Sequence, residues 1–178
     1  MGSVAVRVGI QALKTELPKA ISVAGTVRFE FCLDFGSYRD IQRQRAVTQR
    51  MPRVSFDYGF EKWYVDQLPE SVKIKAINML KEHEKDTCNL AINKDLMQYY
   101  IPMGYKVACQ ISGDLPAMVY LVELRATKFV HPTLQVKAIH MAEKLVEEFK
   151  TFGLKIYFDP NEAGRFDVKR GRQDIIEK

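Results

Sequence analysis

Residues 26–45 read TVRFEFCLDFGSYRDIQRQR, and this stretch decides the fold. Val27, Phe29, Phe31 and Leu33 alternate with Arg28, Glu30, Cys32 and Asp34. A period of two puts one set on an apolar face and the other on a polar face, the signature of a strand covered on one side. Gly36 ends the strand. Ser37 is placed to cap a helix, with Asp40 three residues on as a weak capping box. That helix is predicted to carry Arg39 to about Val47, and Pro52 stops any continuation.

Upstream, Val4, Val6, Val8 and Ile10 suggest an opening strand that Leu17-Pro18 breaks. Downstream, a loop with Gly59, Trp63 and Tyr64 leads to Pro69, a good first-turn residue. A helix is predicted over Pro69–Glu84 with Val72, Ala76, Leu80 and His83 on one face. A second helical stretch covers Lys94–Tyr100 and ends before Pro102. Tyr105, Val107, Cys109 and Ile111 alternate as a further strand. Gly113-Asp114 then turns the chain, Asp114 serving as cap for a helix that brings Met118, Leu121, Val122 and Leu124 to the core. The longest helix runs from His131 to Phe149, with Ala138, Ala142, Leu145 and Phe149 in register. Leu154, Ile156 and Phe158 suggest a closing strand, and 161–178 is a polar tail. The whole is an α+β chain of one domain, an antiparallel or mixed sheet packed with helices.

Composition narrows the class. The 178 residues are 47% hydrophobic, enough to build one core. No apolar run approaches the roughly 18 residues of a membrane span. Met1-Gly2-Ser3 is not a signal peptide, so the expected location is cytoplasmic. Cys32, Cys88 and Cys109 are odd in number and have no CxxC spacing, which fits a reduced compartment. His83, His131 and His140 lack ligand spacing as well, so no metal is expected. There is no dinucleotide GxGxxG, no P-loop and no strained serine elbow.

The charge pattern points to chemistry. Net charge is +5, and Arg39, Arg43, Arg45, Arg50 and Arg53 crowd into residues 39–53 against the single acid Asp40. The start of a helix welcomes anions through unpaired N–H groups and its dipole. Arg39 and Arg43 share a helical face while Arg45 points elsewhere, so guanidinium groups can serve two anionic or aromatic groups. A solvated basic face is the plainer reading of the same residues. Arg125, in YLVELR (residues 120–125), follows a run of core residues. It needs a partner there, either an acid elsewhere in the fold or a ligand oxygen. Nucleic-acid binding by the basic segment, with Tyr58, Phe60, Trp63 and Tyr64 as stacking residues, is the weakest reading.

Two segments carry a resemblance to a known family. VRFEFCLDFGSYRDIQRQRAVTQRMP (residues 27–52) resembles the signature region of flavin-dependent thymidylate synthases, where a strand enters a helix ending in R-H-R. YIPMGYKVACQISGDLPAMVYLVELRATKFVHPTLQ (residues 100–135) resembles the family's second block: a proline turn, a strand, a helix ending in Leu-Arg and a histidine-led final helix. The likeness is closest to the long, duplicated members. It implies the thymidylate-synthase-complementing fold and methylation of dUMP to dTMP, with methylenetetrahydrofolate as carbon donor, FAD as hydride carrier and NADPH as reductant. It also implies a homotetramer, or a dimer of two-domain chains. By this likeness Arg43 and Arg45 contact nucleotide phosphate and flavin, and Arg125 binds and polarises the pyrimidine. Gln44, Thr48, Asp114 and Tyr120 stand at flavin-side positions, and Gln98 stands where a phosphate-binding arginine is usual. Gln44 replaces the titratable histidine of R-H-R, and Asp114 would repel a diphosphate. Relative to ordinary members the chain starts late, as if truncated at its N-terminus. The alternative reading is a degenerate, non-catalytic copy that binds another nucleotide or acts as a scaffold or oligomerisation domain.

Overall fold

The computed structural model describes residues 15–159; the expected strand Val4–Ile10 and the tail 161–178 lie outside the described residues. It is an α+β fold with one three-stranded antiparallel sheet. Strand β1 (Val27–Asp34) and strand β2 (Thr48–Arg50) both pair with β3 (Lys106–Gly113), in the order β1-β3-β2. Along β1–β3 the register matches Val27 with Gly113 and Asp34 with Lys106. On β2, Thr48 faces Ser112.

The inner sheet face carries Leu33, Val107, Cys109 and Ile111, all buried, as the alternation of two requires. Helix α5 (Leu115–Arg125) and helix α6 (Pro132–Glu148) cover that face. α5 is capped by Asp114, whose side chain accepts from the Ala117 N–H at 2.8 Å, as expected from the sequence. From it Met118, Val119, Leu121 and Val122 enter the core. From α6, Leu134, Ala138, Ala142 and Leu145 do so. No described helix is long and apolar enough to cross a membrane.

Four expectations need correction. Helix α1 spans Phe35–Ile41 and does not continue to Val47. Its cap is Asp34, which accepts from the Ser37 N–H at 2.9 Å, and not Ser37 itself. The chain turns after Ile41 because the Gln49 amide donates to the carbonyls of Ile41 (2.8 Å) and Gln44 (2.9 Å), pinning the turn so that β2 can reach β3. Residues 154–158 form no strand. This segment and its neighbour Asp159 instead bond to α5 and its C-cap residue, with Tyr157 N–H donating to Glu123 at 3.1 Å and Asp159 N–H to the Ala126 carbonyl at 2.9 Å.

The fourth correction concerns helix α3 (Glu70–Cys88), which comes after the short helix α2 (Lys62–Asp66). Its inward stripe is Ala76, Leu80, His83 and Thr87, while Val72 is exposed. Ile74 is 73% exposed and Ile77 and Met79 are also exposed, so the first half of the helix has large apolar residues with none of them buried. A helical turn followed by a 3-10 turn, α4 (Lys94–Met97) and Gln98–Tyr100, occupies the remaining predicted helix.

Candidate functional site

The strand–helix joint places two groups of polar residues. One is a ledge where Arg125, at the last turn of α5, meets α1. Arg125 Nη2 donates to the Asp40 backbone carbonyl at 2.7 Å. Arg43 Nε stands 3.6 Å from the Asp40 carboxylate in a largely exposed pair, worth little by itself. Asp40 thus joins the two arginines, one through its carbonyl and one through its side chain. Arg125 Nε is buried and has no hydrogen-bond partner among the described residues. Burial pulls the Arg125 pKa below its ordinary value, Asp40 opposes that shift, and Arg43 adds to it. Tyr120, one and a half turns earlier on α5, also bears on the Arg125 charge.

The other sequence-picked residues do not all join this ledge. Arg45 is exposed in the turn after α1, and Gln44 beside it offers its backbone carbonyl to Gln49. Thr48 is the exposed first residue of β2. Gln98 has a structural use: its side-chain oxygen accepts the Val54 N–H at 3.2 Å. Asp114 sits at the opposite end of α5 from Arg125, separated by about 16 Å of helix, so no single phosphate can touch both. The five arginines of residues 39–53 do not form one basic face either. Arg39 reaches Met103 sulfur, Arg50 lies on β2, and Arg53 pairs with Asp95 at 2.9 Å.

A second group was not anticipated from sequence. Asp34 is 0% exposed. Its carboxylate accepts from Thr133 Oγ1 at 2.6 Å, from Ser37 N–H and from the Tyr64 hydroxyl at 3.0 Å. Ser37 Oγ lies 2.8 Å from Thr133 Oγ1 and 3.4 Å from His131 Nδ1. Tyr64 stacks on the His131 ring with centroids 5.3 Å apart, and Trp63 meets it edge-on at 4.8 Å. Burial, then the Asp34 charge, raises the Tyr64 pKa well above the ordinary phenol value, so the phenol stays a donor. Serine, histidine and aspartate are all present, yet Asp34 bonds Thr133 and Tyr64, and Ser37 is buried. A hydrolytic triad needs the acid to orient the histidine and the serine to meet substrate. The cluster therefore fastens β1, α1, α2 and α6 together. Its one sequence signal is an acid closing an apolar strand immediately before a helix, which reads equally as a cap.

No family model matches the chain. Among curated proteins it is similar to a UPF0159 protein of Chlamydia pneumoniae, 26% identical over 121 residues, or 67% of this chain and 22% of that protein. A UPF0159 protein of Chlamydia muridarum is 25% identical over 150 residues, 82% of this chain and 28% of the relative. One from Thermoplasma acidophilum is 25% identical over 122 residues, 66% and 24% respectively. The chain spans about a quarter of the length of these relatives. They overturn the expected membership of the flavin-dependent thymidylate synthases. Each carries the UPF0159 name and none a thymidylate synthase or flavoprotein name, so that activity is withdrawn for this chain.

Proposed function

We propose that this domain binds a phosphate-bearing small molecule at the ledge of Arg43 and Arg125. The observation that supports the reading best is the buried Arg125 Nε without a partner among the described residues. A buried unsatisfied donor on a charged group is costly, and a forked oxyanion is the ligand whose geometry suits a guanidinium with a hydrogen bond still to make. Asp40 neutralises only part of the local charge, since two guanidinium groups approach it. Arg45, exposed in the adjoining turn, adds to the positive field.

Calorimetric titration of the full chain at low salt tests this. Inorganic phosphate, pyrophosphate, dUMP, FAD and NADPH are compared as separate ligands. At least one should bind, and Arg125→Met should weaken it about 10- to 100-fold, the loss of one charge-assisted hydrogen bond, in a variant that circular dichroism shows to be folded at the titration temperature. Absence of binding by all five, or equal affinity in Arg125→Met, rejects the ledge as a site.

Helix α3 favours a second element of the reading, self-association. A helix half of about ten residues is not stable in water without packing, and the first half of α3 keeps Val72, Ile74, Ile77 and Met79 exposed. Both halves of the helix carry both signs, Glu70, Lys73 and Lys75 in the first and Lys81, Glu82, Glu84, Lys85 and Asp86 in the second, so the contact would rest on the apolar row and not on charge.

A further inference from the structure

Beside α5, from Leu115 at its N-terminal end to Thr15 and Tyr157, which bond Glu123, lies a half-enclosed cavity of about 660 Å³. Its interior is formed by Leu17, Ile21, Val27, Leu115, Phe149 and Leu154. The walls are fixed by polar bonds outside the apolar lining. Thr15 N–H donates to both Glu123 carboxylate oxygens, at 2.9 and 3.0 Å, and Thr15 hydroxyl donates to the Lys155 carbonyl. Tyr157 N–H also donates to Glu123. The buried Glu123 therefore ties the segment before β1 and the segment after α6 to α5. The cavity volume falls within the usual range for small-molecule sites, roughly 300–1,000 Å³ with mostly apolar walls and few polar groups.

Of the described residues that line it, Lys155 alone is charged. Its side chain is in no ion pair among the described residues. Phe149 and Phe152 stand 6.5 Å apart but are tilted by 48°, so they do not form a parallel slot for a planar ring. Apolar walls, aliphatic and aromatic, with one cation among the described lining residues suit a ligand with a hydrocarbon body and a single anionic head. We infer that the cavity binds a free fatty acid of medium chain length, its hydrocarbon against Leu17, Ile21, Leu115 and Leu154 and its carboxylate at Lys155. This site is independent of the arginine ledge and shares no residue with it.

Calorimetry on the full chain tests the inference with hexanoate, octanoate, decanoate and decanol, each below its aggregation concentration. Affinity should rise about fourfold per methylene, equivalent to about 0.8 kcal/mol for each buried CH₂, and decanoate should bind more tightly than decanol. Lys155→Met should weaken decanoate about tenfold and leave decanol unchanged. Leu115→Trp should fill the cavity and remove both. If circular dichroism shows that variant unfolded, Leu154→Trp from the opposite wall replaces it. Four results would overturn the proposal: no binding by the full chain, affinity indifferent to chain length, binding to phosphatidylglycerol vesicles but not to free decanoate, or dissociation of an oligomer by the cavity-filling variant, which would make a second copy the occupant.

Discussion

Thr133 donates its hydroxyl to the Asp34 carboxylate at 2.6 Å, joining residues 99 positions apart. The bond secures the end of β1 to the first turn of α6, and Ser37 N–H and Tyr64 hydroxyl complete the acceptor's shell. Asp34→Ala would strand three donors in a buried site, at a cost of about 3–5 kcal/mol. Asp34→Asn keeps one oxygen acceptor and should cost less. Urea unfolding midpoints measure both; a loss under about 1 kcal/mol in the alanine variant would show that the cluster is not holding these elements together.

Gly104 packs under the Phe60 ring. A Cβ there would lie 2.4 Å from Phe60 Cε2 and 2.5 Å from Cζ, and that ring is itself held edge-on to Tyr105 at 5.3 Å. Gly104→Ala should therefore destabilise the fold by about 1–3 kcal/mol. Adding Phe60→Leu should recover part of the loss, a coupling readable in a double-mutant cycle. Strict additivity of the two changes would contradict the close approach.

Alkaline pH should weaken the fold. Burial pushes the Cys109 thiol from 9.0 to about 12, with the Cys32 charge adding to it. Burial, followed by the nearby Glu84 charge, pushes the Tyr105 phenol from 10.0 to about 12. Unfolded, both groups ionise at their ordinary values and release protons that the folded chain retains. Their stabilising contribution is complete below about pH 9 and disappears as pH rises towards 12. The urea midpoint should drop between pH 8 and pH 10.5, and Cys109→Ala should shrink that drop. An unchanged midpoint would contradict the shifts.

Charge placed on α3 should act on assembly and not on folding. Ile74→Glu with Ile77→Lys changes two exposed residues, so the melting temperature of a monomer should move little. If α3 is the contact between copies, light scattering should show the native chain as an oligomer and the double variant as a monomer. A native monomer, or an oligomer untouched by both changes, excludes this contact.

The strand at 27–34 was legible because one face is covered and the other is not, which writes a period of two into the residues. The α5 cap was legible because Asp114 bonds locally, within three residues. The extent of α1 was not: Gln42 to Arg45 suit a helix well, and the turn is imposed by Gln49 and by pairing of β2, both outside the helix window. Asp34 was read onto the polar face of β1, yet α6 and Tyr64 cover it. Val72 joined the expected inward stripe of α3 only because apolar residues were assumed to face inward. At the ledge, residue types said only that Arg125 needs a partner, an acid or a ligand oxygen; that Nη2 meets the Asp40 backbone carbonyl, the separation of Asp114 and the structural use of Gln98 all depend on tertiary distances that no local pattern encodes.

The middle strand of the sheet is the last to be synthesised. Glu30 and Gln110, which bond across it, are 80 positions apart, and β2 has nothing else in the sheet to pair with. A polypeptide leaving the ribosome from its N-terminus exposes the valine and phenylalanine row of β1 while the residues between Asp34 and Lys106 are made. Closure of the sheet is then a late, long-range event, slow by its topology and open to capture by holding chaperones until residues 106–113 emerge.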